Sequence, residues 1–169
     1  MIMPGIELDL ASQLNQLTML AQVVLAFVLG GFLGLQREYS GKAAGLRTYT
    51  LVTVGAAVFT LASVGGFNEF LALDASRYDP SRIAANIVVG IGFLGAGVIV
   101  FRGAHIEGLT TAAGVWTAAA IGMAVGLKLY LLAIFTTLLV FFTLEVLGKS
   151  GFEKWLYSRY RPRKSPYEQ

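Results

Sequence analysis

The sequence predicts an all-α, polytopic bundle of membrane-spanning helices, and three observations carry that prediction. Hydrophobic residues make up 56% of the 169 positions and charged residues 14%, where a soluble domain would carry roughly a quarter charged. The mean hydropathy is +0.67, and the charges are confined to short segments between long apolar runs. Glycines occur inside those runs, four of them in Gly90-Ile-Gly92-Phe-Leu-Gly95-Ala-Gly97. Glycine is costly in a water-exposed helix, but between membrane helices it lets two backbones approach closely.

Five apolar segments follow one another, at about 17–35, 47–66, 82–101, 109–127 and 129–147. Each is close to the roughly 20 residues that a spanning helix needs. They define a transmembrane domain over 1–148, followed by a basic, aromatic juxtamembrane tail over 149–169. The start, 1–16, lacks the basic n-region of a signal peptide and carries Glu7 and Asp9, so it reads as a short polar or amphipathic lead-in. Segments four and five are separated only by Gly126, Leu127 and Lys128. As one helix they would run about 58 Å, well beyond the bilayer core. A tight turn there is the simpler reading, and a single long helix with four spans is the competing one.

Orientation follows from the basic residues. With five spans and a cytoplasmic C-terminus, ten of the 13 Lys and Arg residues fall inside; only Arg77, Arg82 and Lys128 fall outside. The positive-inside rule then gives N-out, C-in.

The elements differ in character. The first carries Gly30 and Gly34 in the G-x-x-x-G spacing, a weak pointer to self-association. The second bears a small, weakly polar stripe of Thr53, Ala56, Thr60 and Ser63. In the fourth, Gly114, Ala118, Gly122 and Gly126 recur every fourth residue and so share one face. Helices two, three and four are expected to form the packed core or part of a dimer seam, with Gly90, Gly92, Gly95, Gly97, Gly114, Gly122 and Gly126 as packing positions. The fifth has no glycine and many bulky residues, among them Phe135, Leu138 and Phe142, which places it on the lipid-facing periphery. In the tail, Phe152, Trp155, Leu156 and Tyr160 share a helical face among basic residues, the pattern of a short amphipathic interfacial helix.

Catalytic and metal chemistry find little material. There is no cysteine and one histidine, His105, in a short loop, so no catalytic, cofactor-binding or metal-ligating set emerges and a non-enzyme is expected. Gly90-Ile-Gly-Phe-Leu-Gly95 matches G-x-G-x-x-G, but position 115 is a valine where a dinucleotide fold would place an acidic residue; helix packing is the favoured reading. Glu145, four residues before Lys149, fits a snorkelling ion pair.

Two polar groups remain as candidates. Asp79 can cap the third helix with Pro80 at its first position, placing Arg82 and Asn86 one turn apart on one face. Asn86 is, with Gln22, among the few strongly polar side chains within a span; it needs a partner in lipid, so it reads as interhelical glue, with a polar step on a permeation path as the alternative. The second group is Arg37, Glu38, Arg47, Thr48, Arg102, Thr110 and Thr111, which the topology brings to the cytoplasmic face with Glu107. A lattice of salt bridges is the favoured reading there and a docking surface the other.

Five linked motifs then carry a resemblance. Gly34-Leu-Gln-Arg-Glu38, Ala44-Gly-Leu-Arg-Thr48, Asp79-Pro-Ser-Arg-Ile-Ala-Ala85, Gly90-Ile-Gly-Phe-Leu-Gly-Ala-Gly97 and Gly108-Leu-Thr-Thr-Ala-Ala113 with Trp116 resemble, in order and spacing, the membrane domain of the MgtC/SapB family. Family members often have Glu-Arg at Gln36-Arg37 and Gln at Asn86, and many continue into a soluble ACT-type domain; the resemblance covers the membrane domain only. It implies a multi-pass bacterial inner-membrane protein linked to growth at low magnesium, to survival inside macrophages and to virulence. It also implies action by restraining a membrane partner, the F-type ATP synthase. A homo-oligomer, with a dimer favoured, is expected, with the lipid bilayer as solvent and no nucleic-acid partner. The alternative function is a Mg²⁺ or other solute transporter or channel built by a homo-oligomer. The absence of charge from the centres of all five segments favours the regulator, because ion-coupled transporters usually keep ionisable residues within their spans.

Overall fold

The computed structural model describes residues 4–65, 79, 81–103 and 105–147. The expectations for the 66–78 loop and the 148–169 tail lie outside the described residues. What is described is an all-α bundle with one small hairpin: α1 (Pro4–Tyr39), α2 (Leu46–Gly65), α3 (Ser81–Val98), β1 (Val100–Arg102), β2 (His105–Glu107), α4 (Leu109–Gly126) and α5 (Tyr130–Phe142). A π-helical turn, Thr143–Leu147, closes the described part of α5. Four of the helices are long and apolar enough to cross a membrane, α1 over Gln13–Tyr39, and α5 is a shorter apolar helix.

Two boundaries differ from the sequence expectation. The lead-in is not separate, because the helix runs unbroken from Pro4 to Tyr39, about 54 Å at 1.5 Å per residue. The third helix stops at Val98 instead of 101. There the β-branched Ile99 and Val100 leave the helix for an antiparallel ladder, Val100 opposite Glu107, Phe101 opposite Ile106 and Arg102 opposite His105. His105 therefore sits in a strand, not a loop. The break between α4 and α5 does fall at the Gly126–Lys128 turn, where Lys128 takes φ 63° and Leu129 N–H reaches back 2.8 Å to the Ala124 carbonyl.

The core lies elsewhere than the glycine clusters alone imply. It is built by α1, α2 and α4, not by α2, α3 and α4. The central helix is α4, which touches all four others and buries eleven of its 18 residues, whereas α3 buries only Ile91 and Gly95. The α1 glycines are used inside the chain: a Cβ at Gly30 would lie 2.5 Å from Thr53 Oγ1, and one at Gly34 would lie 2.7 Å from Leu46 Cα. Along α4, a Cβ at Gly122 would fall on the Thr53 carbonyl oxygen and 3.0 Å from Ala56 Cβ; one at Gly126 would lie 2.7 Å from Thr60 Cβ. On α3, by contrast, only Gly95 has a neighbour, Ala112; among the described residues nothing comes within 4 Å of a Cβ at Gly90, Gly92 or Gly97. The bulky α5 buries only Ala133 and Thr137 of its α-helical turns and exposes Leu131, Phe135, Leu138 and Phe142.

Three polar side chains inside the bundle find backbone partners, as hydrocarbon solvent demands. Thr53 and Thr60 donate to carbonyls one turn back, Tyr49 O at 2.9 Å and Ala56 O at 2.7 Å. Gln22, buried on α1, donates from Nε2 to the carbonyls of Val125 at 2.6 Å and Gly126 at 3.2 Å. It thereby adds to the Lys128 N–H that the Val125 carbonyl already accepts and supplies a donor to the Gly126 carbonyl at the end of α4, where helix geometry leaves carbonyls open. The interhelical role expected of Asn86 is thus filled by Gln22.

Candidate functional site

The polar groups gather where α1 ends and α2 and α4 begin. α1 is stopped by Ser40 and Gly41, the latter at φ 62°, and Lys42 N–H returns 3.2 Å to the Arg37 carbonyl. This end geometry satisfies a terminal carbonyl that the helix itself leaves open. Glu38 then reaches across the turn, its Oε2 accepting the Leu46 N–H at 2.9 Å, so it caps the start of α2. The start of α4 is set by Gly108 at φ 91°; a Cβ there would also strike the Val98 carbonyl, so glycine is required twice over. No side chain caps this helix end.

Arg37 points inward between these helix starts. It is 3% exposed, and its Nη2 donates to Thr111 Oγ1 at 3.4 Å. Tyr49, fully buried in the first turns of α2, lies with its hydroxyl over Gly114, where a Cβ would collide with it. The hydroxyl lies beside the Arg37 guanidinium and interacts with it, though neither it nor Arg37 Nε makes a hydrogen bond of ordinary length and angle. Beside them, Gln36 Nε2 donates to Glu145 Oε2 at 2.6 Å and to Ser40 Oγ at 3.2 Å. Gln36, on α1, is therefore a partner of Glu145; Lys149 lies outside the described residues.

Of the seven cytoplasmic-face candidates, only Arg37 and Thr111 meet. Glu38 serves as the cap just described. Arg47, Thr48 and Thr110 are exposed. Arg102 pairs with Glu107 across the hairpin, Nε to Oε2 at 3.4 Å, both largely exposed; such a pair contributes about 1 kcal/mol at most. Between described residues there is thus no lattice of salt bridges, because the sequence spacing that aligned these charges on one face did not foresee the hairpin that carries Arg102 away. Tyr49 was missed by the sequence reading; its position four residues after Gly45, facing the small Gly114 of another helix, is a signal only once the α2–α4 register is known.

At the start of α3, Asp79 accepts from Ser81 N–H at 2.9 Å and from Ser81 Oγ at 2.6 Å. These bonds hold its carboxyl below the ordinary carboxylate range, with a smaller contribution from Arg82. A depressed folded value means that the cap stabilises α3 above the unfolded pKa and is lost as pH falls through the folded one. We expect the Ser81 amide resonance to titrate with a midpoint below about 3.9, and the Asp79→Asn protein to keep the cap with no titration. A midpoint at or above that value contradicts the capping role. Arg82 and Asn86 are both exposed. Asn86 lines a cleft of about 700 Å³ between α2 and α3, with Leu51, Gly55, Phe59 and Gly90 also on its wall.

With this geometry in place, comparison with known proteins is informative. A family model described as "MgtC family" matches residues 23–151. The Escherichia coli (strain K12) protein named "Putative magnesium transporter YhiD" is 45% identical over 131 residues, covering 78% of this chain and 61% of that one. "Protein MgtC" of Brucella abortus (strain 2308) is 48% identical over 101 residues, 60% of this chain and 39% of its own. An uncharacterized protein of Haemophilus influenzae is 32% identical over 155 residues, 90% of this chain and 64% of its own. The chain thus spans between about two fifths and two thirds of the length of these relatives. No solved structure matches it. The matched region takes in α2, α3, α4, α5 and all but the start of the apolar part of α1, which carry both the buried Arg37 cluster and the open glycine face of α3: the chain belongs to the MgtC family of membrane proteins.

Proposed function

We propose that this protein is a non-enzymatic regulator of the bacterial inner membrane that works by binding another membrane protein, with α3 as the docking face. The observation that carries the reading is the contrast between α4 and α3. Both are glycine-rich, yet the α4 glycines Gly114, Gly122 and Gly126 lie against α2, while Gly90, Gly92 and Gly97 on α3 meet nothing among the described residues. Glycine offers lipid no side chain; its use in a membrane is close approach of a second helix. Gly90 and Gly97, seven residues apart, share one face of α3, with Gly92 on the other side; a second copy of the chain and a different membrane protein both fit the Gly90–Gly97 face, and a homodimer that presents a shared surface joins the two. The resemblance to the MgtC/SapB family supports the F-type ATP synthase as the partner, and adaptation to low magnesium, intracellular survival and virulence as the setting. The charge distribution supports N-out, C-in.

One observation favours a second reading, transport of Mg²⁺ or another solute. The YhiD relative is named for magnesium transport, and the α2–α3 cleft carries the polar Asn86 at its wall. The cleft is otherwise apolar, whereas a hydrated Mg²⁺ calls for carboxylates or several oxygen ligands. One experiment separates the two. The full chain, purified and reconstituted in liposomes, is expected to move neither Mg²⁺ nor protons above protein-free vesicles, and in mild detergent from cells grown at low magnesium it is expected to retain a membrane partner. Saturable Mg²⁺ flux would overturn the regulator and establish the second reading.

A further inference from the structure

We infer that the Arg37 cluster is a binding site for a single phosphate-class oxyanion. Arg37 is 3% exposed, yet among the described residues the one hydrogen bond it donates goes to a neutral hydroxyl, Thr111 Oγ1. A buried charge with no counter-charge is strongly unfavourable. Its surroundings add to the imbalance. The guanidinium sits between the first turn of α4, where Thr111 lies, and the early turns of α2, where Tyr49 lies; the N-terminal end of a helix carries a partial positive charge, which Glu38 meets at α2 and no carboxylate among the described residues meets at α4. The first turn of α4 holds no acidic residue, and no side chain caps its start. The carboxylates on neighbouring elements are engaged elsewhere: Glu38 with the Leu46 N–H, Glu145 with Gln36, and Glu107 with Arg102.

Two donors are left over in this electropositive spot. Arg37 Nε and the Tyr49 hydroxyl are both buried and both without a hydrogen-bond partner. A guanidinium edge beside a hydroxyl donor is the pattern that an oxyanion recognises, since its oxygens accept from two or more fixed donors. The cluster is closed, with Arg37, Tyr49 and Thr111 each nearly or fully buried. Its three side-chain donors match one phosphate group rather than a nucleotide, and the group would enter by displacement of the 40–45 turn, whose residues 41–43 are exposed. Free inorganic phosphate and the headgroup phosphate of a lipid supply the same chemistry. This inference is independent of which partner, if any, occupies α3.

The test is the melting temperature of the full-length wild type and of Tyr49→Phe, which removes one donor and keeps the ring. Each is titrated in nonionic detergent with sodium phosphate against sodium chloride at equal ionic strength. Each is also reconstituted in phosphate-free galactolipid vesicles with or without phosphatidic acid. A rise with phosphate beyond that with chloride, its midpoint about tenfold weaker in Tyr49→Phe, assigns a free oxyanion. A rise with phosphatidic acid alone, weakened in the same way, assigns a lipid headgroup. Arg37→Met, if it folds, is expected to abolish either response. The site is overturned if neither phosphate nor phosphatidic acid acts beyond the chloride control, or if wild type and Tyr49→Phe respond with the same midpoint.

Discussion

Replacing Gly122 by alanine is expected to cost this protein about 2 kcal/mol of stability or more, although the same change at Gly90 leaves stability unchanged or raises it by up to about 1 kcal/mol. The two glycines look alike in sequence, each in the middle of an apolar run. Their surroundings have opposite consequences. At Gly122 the added methyl meets the Thr53 carbonyl oxygen, its carbon at 2.9 Å and Ala56 Cβ at 3.0 Å. None of these is the end of a flexible side chain, so the only relief is to move α4 away from α2. That movement also strains the neighbouring contact, where Gly126 lies against Thr60 Cβ and the Ala57 carbonyl. At Gly90 a methyl enters open space and brings only the helix preference of alanine over glycine. Denaturant unfolding in detergent micelles, followed by circular dichroism, reads both signs. Equal effects at the two positions would mean that the α2–α4 contact is looser than described.

The second large effect concerns recognition, not stability. Leucine at Gly90 and Gly97 together is expected to leave folding intact and to reduce recovery of the membrane partner roughly tenfold or more, the loss that follows from about 1.4 kcal/mol of binding energy. The reasoning is geometric. A Cβ at either position meets nothing among the described residues, and Gly90 borders the open α2–α3 cleft, so bulk there is expected to cost the monomer little. A helix docked at glycine distance from α3 has no room for it. Ala133→Leu supplies the contrasting control: Ala133 is fully buried on α5, so bulk there is expected to lower stability without a specific effect on partner recovery. A doubly substituted α3 that retains its partner undiminished would remove α3 from the interface.

Much of the architecture was legible in the sequence, because the bilayer imposes strong rules on it. Run length sets helices, and the Gly126–Leu127–Lys128 interruption sets the hairpin between α4 and α5. The four-residue spacing of Gly114, Ala118, Gly122 and Gly126 already puts those residues on one face. What spacing does not reveal is which helix a smooth face meets. Gly30 and Gly34 read as marks of self-association, and they are taken up by Thr53 and Leu46 of the same chain. The α3 cluster read as the densest packing material, and most of it is left open. Hydrophobicity also does not distinguish helix from strand over a few residues, so 99–101 were given to the third helix when the β-branched pair and the Gly103 turn make a hairpin.

The polar site was half legible for the same reason. Arg37 and Thr111 were both candidates, since charge and hydroxyl at helix ends attract notice in any membrane protein. Their meeting depends on α1 ending against the start of α4, which is a tertiary fact. Tyr49 was hidden because a tyrosine near a membrane interface is ordinary; only its burial over Gly114 makes it a member of the cluster. Asn86 and Gln22 both stood out as polar residues within spans, but it is Gln22, on α1 and facing inward, that holds the interhelical bonds.

The central claim is that the chain seals α1, α2 and α4 against one another and leaves α3 open for a protein neighbour in the membrane. A photoreactive amino acid placed at Phe93 on α3, and in parallel at Leu131 on α5, tests it in living cells; both side chains are at least 80% exposed. The account predicts discrete protein crosslinks from Phe93, to a partner or to a second copy, and lipid adducts alone from Leu131. Lipid adducts alone from Phe93, with or without protein crosslinks from Leu131, would contradict it.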